Sequence, residues 1–180
     1  GSAWKYWANS QPNAPAASWN TVAYNDAAWT SSATELGYGD GDEANCIASG
    51  GGGTLCTPSG NKWATYYFRK VVNVPDKSVY SNFTFNVERD DGFVVYVNGV
   101  EVGRNNMPVG AVTYATAASS AIEDAVIAVT VPTSALVNGD NTIAIEVHQS
   151  PVAGAPNATS TSSDISFNFQ MLGNDAFSGG

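Results

Sequence analysis

The sequence predicts an all-β domain, an antiparallel β-sandwich or jelly roll, on three observations. Apolar and polar residues alternate with period two in several segments. One set is Phe83, Phe85 and Val87 against Asn82, Thr84, Asn86 and Glu88. A second is Ile143, Ile145 and Val147 against Thr142, Ala144, Glu146 and His148. A third is Ile165, Phe167, Phe169 and Met171 against Asp164, Ser166, Asn168 and Gln170. Such alternation describes strands with one face on a core and one polar face. No long window holds a helical period, and Gly, Pro, Asn, Ser and Thr punctuate the whole chain. Finally, Val97-Asn98-Gly99-Val100 is a strong hairpin signal, because both central residues of a two-residue turn need positive φ.

Taken in order, strands are expected at residues 4–8, 65–74, 82–88, 92–97, 100–104, 126–131, 142–148 and 164–171. Asn98-Gly99 joins the fourth and fifth, and Asn138-Gly139-Asp140-Asn141 turns into the seventh. About eight strands without a repeat or an internal linker suit one sandwich. The domain is expected over residues 3–172, with 173–180 as a tail or linker stub.

The chain has 180 residues, a net charge of -9 and only 13% charged residues. A surface this acidic repels phosphate backbones and anionic membranes, so nucleic acid is excluded as a partner. Neutral polymers and metal cations fit it. No apolar run approaches the ~18 residues of a spanning helix, so membrane insertion is not expected. No leader is read, and Gly1-Ser2 has the look of a cloning scar that replaced one.

Cys46 and Cys56 bracket a loop with four consecutive glycines. A disulfide closing it would contribute ~3 kcal/mol and implies an oxidising, extracellular setting. Two free cysteines are the alternative. With one histidine and no paired cysteine spacing, zinc is not expected. Asn82-Phe83-Thr84 and Asn157-Ala158-Thr159 are glycosylation sequons of the kind that arise by chance.

No motif of a nucleophilic hydrolase, a zinc protease or a phosphate-binding loop is present. His148 shares a strand face with Glu146, and a structural histidine bonded to a neighbouring carboxylate is the favoured reading. Asp90 and Asp91, if in a regular strand, point to opposite faces. Gly37 to Glu43 sets Asp40, Asp42 and Glu43 among glycines, a bent acidic loop of the kind calcium favours. Asp90 and Asp91 are a second acidic pair and Asp164 a third candidate ligand. A solvated turn or salt bridges are the alternatives.

Five tryptophans are many for this length, and Trp and Tyr suit the apolar faces of sugars. Trp63, beside the Gly-rich loop, is the aromatic expected to be exposed for binding. Tyr66 and Tyr67 alternate on one strand, so one of them is expected to leave the core, with Tyr67 the binding candidate. Arg104 and Asn105 supply a donor fork and an amide for hydroxyls. Pairing of Arg104 with Asp90 or Asp91 is the competing expectation. His148 completes the candidate sugar set.

Several segments together resemble a known family. They are Asp26-Ala-Ala-Trp29, Leu36-Gly-Tyr-Gly-Asp-Gly-Asp-Glu43, Tyr66-Tyr-Phe-Arg-Lys70, Asp90-Asp-Gly-Phe-Val-Val-Tyr-Val-Asn-Gly-Val-Glu-Val102, Arg104-Asn-Asn-Met-Pro108, Ile145-Glu-Val-His-Gln149 and Ser162-Ser-Asp-Ile-Ser-Phe167. From Trp4 to Leu172 they resemble the galactose-binding-like β-jelly-roll modules of secreted multidomain proteins. The resemblance implies a non-catalytic jelly roll, often with structural calcium and often binding carbohydrate. Asp90-Asp91-Gly92 also resembles the calcium site of one class of lectin domains, whose two acidic residues hold the metal. The expected function is therefore a calcium-stabilised, carbohydrate-binding accessory module, extracellular, with a glycan and the other domains of a parent protein as partners. A structural or adhesive spacer is the alternative, and a free-standing enzyme is the third reading.

Overall fold

The computed structural model describes residues 1–7, 14–39, 41, 43–47, 62–154 and 158–176. Its strands are β1 (Ala3–Tyr6), β2 (Thr30–Ala33), β3 (Leu36–Tyr38), β4 (Asn45–Cys46), β5 (Lys62–Trp63), β6 (Thr65–Val74), β7 (Tyr80–Arg89), β8 (Gly92–Val97), β9 (Val100–Asn105), β10 (Ala125–Pro132), β11 (Gly139–His148), β12 (Val152–Ala153), β13 (Thr159–Ser160) and β14 (Ile165–Asp175). Two sheets pack as a sandwich. One has the order β2-β1-β6-β11-β8-β9 and the other β10-β7-β14-β3-β4. A small sheet, β12-β13-β5, closes one end. Neighbours run antiparallel except β3 and β4, which are parallel. Among the described residues no helix is long and apolar enough to cross a membrane.

The alternating segments form the two inner faces. In the six-stranded sheet, register places Tyr6 beside Phe68, Phe68 beside Ile145 and Ile145 beside Val95, all on one face. In the five-stranded sheet it places Phe85 beside Val129 and Met171, and Phe167 beside Leu36. Across the sandwich Phe68 stacks on Phe167 at 3.9 Å between ring centroids. The Trp4 ring stands edge-on to Phe167 at 5.2 Å and Phe169 at 5.1 Å. Each such ring buried contributes on the order of 1.5–3 kcal/mol, which makes this aromatic seam the main bond between the sheets.

Asn98 and Gly99 both have positive φ, at 51° and 88°, as the β8–β9 turn requires. Gly103 in β9 lets the edges of the two sheets close: a Cβ there would lie 2.5 Å from Cγ1 of Val129 on β10. β14 extends past the expected end at residue 171 to Asp175, pairing as far as Tyr80. The short strands β2 to β5, β12 and β13 carry too few residues to show alternation.

The expected polar outer face of the six-stranded sheet is not open to solvent. Thr65, Tyr67, Arg69, Thr142, Glu146 and His148 point away from the inner face, yet all are buried. Residues 14–29 and 112–118 fold over them as a second layer. Trp19 lies edge-on to Tyr67 at 4.9 Å and to Tyr96 at 5.8 Å, and it stacks on Trp29 at 6.4 Å. This layer buries both Tyr66 and Tyr67, correcting the expectation that one would leave the core. By contrast, the outer face of the five-stranded sheet stays polar and open. Asn86 there donates to Gln170.

Candidate binding site

The second layer is fixed by buried polar groups of the sheet. Arg69, only 2% exposed, donates Nε–H to Asp26 at 3.0 Å and Nη1–H to the carbonyls of Trp19 and Thr21. Lys5 adds a 2.6 Å ion pair to the other Asp26 oxygen. Burial alone would raise the Asp26 carboxyl, but hydrogen bonds and charge from Lys5 and Arg69 hold it below the usual carboxylate range.

His148 fixes the other half of the layer. Its Nδ1 lies 2.8 Å from the Thr116 carbonyl, which can only accept, so Nδ1 carries the proton. Thr65 donates to the Tyr114 carbonyl at 2.7 Å, and the Tyr114 hydroxyl accepts from the Ala64 N–H at 3.2 Å. His148 is fully buried, and the partner it bonds is a main-chain carbonyl where a neighbouring carboxylate was expected. Its Nε2 is 3.4 Å from Glu146 Oε2, too long for a good hydrogen bond.

Between the two halves lies a cavity of about 280 Å³, walled by Trp19, Tyr67, Tyr96 and Tyr114, with Glu146 on its sheet side. Tyr96 donates to Glu146 Oε1 at 2.6 Å. Burial, reinforced by the negative charge of Glu146, holds the Tyr67 and Tyr96 phenols well above their ordinary value. Burial does the same for Tyr114. The phenols therefore stay neutral, with the Tyr96 O–H given to Glu146 and the Tyr114 oxygen accepting from the Ala64 N–H. The site combines aromatic ring faces with one carboxylate acceptor, groups that suit a sugar ring. The cavity is near the lower limit of the roughly 300–1,000 Å³ typical of small-molecule sites, the size of a single ring.

Of the residues expected at a sugar site, the structure brings Tyr67 to this cavity and places His148 behind it. Trp63 is not exposed. It is 5% exposed, pairs with Thr159 in the end sheet and leans on Tyr66 at 5.5 Å. Arg104 pairs with Glu101 at 2.6 Å, not with Asp90 or Asp91, and also donates to the carbonyls of Pro108 and Gly110. It thereby anchors the chain just ahead of Val112 and Thr113, which line the cavity. The Asn105 side chain is taken by Arg89, at 3.0 Å from Nη2. Trp19 and Tyr96 were not singled out by the sequence. Tyr96 is legible as the outward neighbour of Val95 and Val97, but nothing local marks Trp19.

Asp90 and Asp91 occupy the corner where β7 of one sheet passes to β8 of the other, not a regular strand. Asp91 accepts backbone N–H groups from Ile122 and Ser150, each at 2.7 Å. Burial nevertheless pushes its carboxyl up. Asp164 accepts from the Ser162 and Ser163 hydroxyls, and Glu43 from the Gly41 N–H. Among the described residues no three His, Cys, Asp or Glu gather to hold a metal. The carboxylates of Asp91, Asp164 and Glu43 thus accept hydrogen bonds from their own corner and turns. Asp40 and Asp42 lie outside the described residues. Cys46 is held in a disulfide, and Cys56 lies outside the described residues.

No protein-family model matches the chain, and no curated protein matches it. Solved structures do share the sandwich. A β-glucuronidase from glycoside hydrolase family 2 overlaps 81% of this chain at 22% identity and a TM-score of 0.48. The Bifidobacterium dentium β-glucuronidase overlaps 82% at 14% identity and a TM-score of 0.45. A glycosyl hydrolase family 2 member from Bacteroides cellulosilyticus overlaps 92% at 14% identity and a TM-score of 0.46. The chain spans 13%, 19% and 20% of those proteins respectively. At these identities the likeness is one of β-sandwich architecture.

Proposed function

We propose that this domain is a non-catalytic carbohydrate-binding module, and that a single sugar ring enters the cavity between Trp19, Tyr67, Tyr96 and Tyr114. The observation that carries the reading is the pairing of aromatic walls with one buried carboxylate. Glu146 accepts from Tyr96 and has lone pairs left for a ligand hydroxyl. Tyr and Trp faces cover the C–H side of the ring, and Glu146 accepts from one of its hydroxyls. Catalysis is no part of this reading: among the described residues lining the cavity Glu146 has no carboxylate partner, and His148 is sealed behind it. Calcium is not routed through the site. The disulfide at Cys46 supports a secreted or cell-surface setting, and the module is proposed to serve other domains of a larger protein.

A glycan array followed by calorimetry tests this, with Glu146→Gln and Tyr96→Phe as variants. Losing a charge-assisted hydrogen bond of about 1.5 kcal/mol predicts roughly tenfold weaker binding for Glu146→Gln, with the thermal midpoint nearly unchanged. A blank array from folded protein, or full affinity in Glu146→Gln, overturns the reading and favours the spacer role.

A further inference from the structure

Glu146 is buried, yet among the described residues no lysine or arginine pairs with it. The cations on the same face are engaged elsewhere. Arg69 on the adjoining strand is held by Asp26. Arg104 gives Nε–H and Nη2–H to the two oxygens of Glu101, at 2.6 and 2.7 Å. Glu146 has one short bond, from the Tyr96 phenol at 2.6 Å. Behind it, His148 Nε2 lies 3.4 Å from Oε2 and has no hydrogen-bond partner. With the imidazole proton on Nδ1, towards Thr116, that nitrogen turns a lone pair to the carboxylate and neutralises nothing. A carboxylate taken out of water without a cation is unfavourable, so a cation that reaches it is held correspondingly strongly.

The cavity in front of Glu146 is built for positive charge. Among the described residues its lining holds no lysine, arginine or histidine. Trp19 stands nearly perpendicular to Tyr67 and to Tyr96, at 73° and 83°, so these rings meet as adjoining walls. Aromatic faces attract an ammonium group, and more strongly where water is excluded. The net charge of -9 adds a long-range pull in the same direction. A neutral ring would use the walls and leave the carboxylate without a counter-charge.

We propose that the cavity selects a ligand with a free ammonium group, an amino sugar, and seats that ammonium between Glu146 and the aromatic walls. That the ammonium is carried on a sugar ring rests on the proposed function; the preference for positive charge does not. Glucosamine, N-acetylglucosamine and glucose differ only at C2, where they carry an ammonium, an acetamide and a hydroxyl. Choline carries an ammonium without a sugar ring. Each is titrated into the isotopically labelled domain in slightly acidic buffer, where the amine of glucosamine is charged, and binding is read from the amide signals of Tyr96 and Glu146. Glucosamine is expected to bind about tenfold or more tightly than the two neutral sugars, by a margin that narrows as salt is raised. Glu146→Gln should bring the ratio of glucosamine to glucose affinity close to unity. Tyr96→Phe keeps the ring and removes the donor on Glu146, so the ratio should hold or rise. Glucose bound as tightly as glucosamine overturns the proposal and leaves the sugar reading standing. Choline bound as tightly as glucosamine, with glucose unbound, supports the ammonium and overturns the sugar reading. The proposal is also overturned if neither glucosamine nor choline binds, or if Glu146→Gln stays folded and keeps the full preference. It is overturned too if the imidazole nitrogen signals of the free domain show His148 protonated at both nitrogens, because Glu146 would then already have its cation.

Discussion

Replacing Asp26 by Ala removes the one carboxylate that neutralises a guanidinium buried to 2% exposure. Removing one partner of a buried pair typically costs about 3–5 kcal/mol. Here the Asp26 side chain is 20% exposed, and Arg69 keeps the carbonyls of Trp19 and Thr21, so about 2–3 kcal/mol is expected. With a urea dependence of roughly 2–3 kcal/mol per molar, the midpoint should fall by about 1 M. Lys5→Ala is the control, because Lys5 is 38% exposed and its pair should be worth about 1 kcal/mol or less. Asp26→Ala should also loosen the layer that carries Trp19 and Trp29, lowering the near-ultraviolet dichroism before the sheets unfold. Adding Arg69→Met to Asp26→Ala should recover part of the loss, since no buried charge is then left alone. The pH dependence has a fixed sign. Asp26 titrates below its unfolded value, so its contribution is present above the usual carboxylate range and is lost as pH falls towards the depressed folded value. A midpoint change no larger than that of Lys5→Ala, with no recovery in the double variant, would refute this account of the second layer.

Phe167→Ala removes the ring stacked on Phe68 and edge-on to Trp4, and chemical denaturation should show a loss of about 3–5 kcal/mol. Gly103→Ala drives a methyl against Val129 Cγ1 and should cost about 1–3 kcal/mol, most of it relieved by Val129→Ala; a neutral single variant would show that the sheet edges are not in close contact. Thermal melts with EDTA and with excess calcium should coincide as far as Asp91 and Asp164 are concerned, because these carboxylates take hydrogen bonds from the chain. A calcium-dependent rise of several degrees that disappears in Asp164→Asn would instead make it a metal ligand.

The long strands were legible because a half-buried strand must alternate. The sets around Phe85, Ile145 and Phe167 each meet the core as their spacing predicts, and Asn98-Gly99 turns because its backbone requires positive φ. The site was legible only in part. Tyr67, Glu146 and His148 lie on the outer face that alternation assigns them, and they come together because that face is one plane of the sheet.

What the sequence by itself determined is thus the strand pattern, the inner faces and the hairpin, all set by local backbone chemistry and period-two spacing. Only the tertiary structure decided that the polar face is covered. Arg69 reaches Asp26 across 43 positions of sequence and His148 reaches Thr116 across 32, and these bonds draw two loops without regular structure over the sheet. Trp63 and Tyr67, both expected to be open, are both buried, Trp63 by the end sheet and Tyr67 by the second layer. Exposure depends on what folds back over a residue from far along the chain, and alternation along one strand carries no record of that.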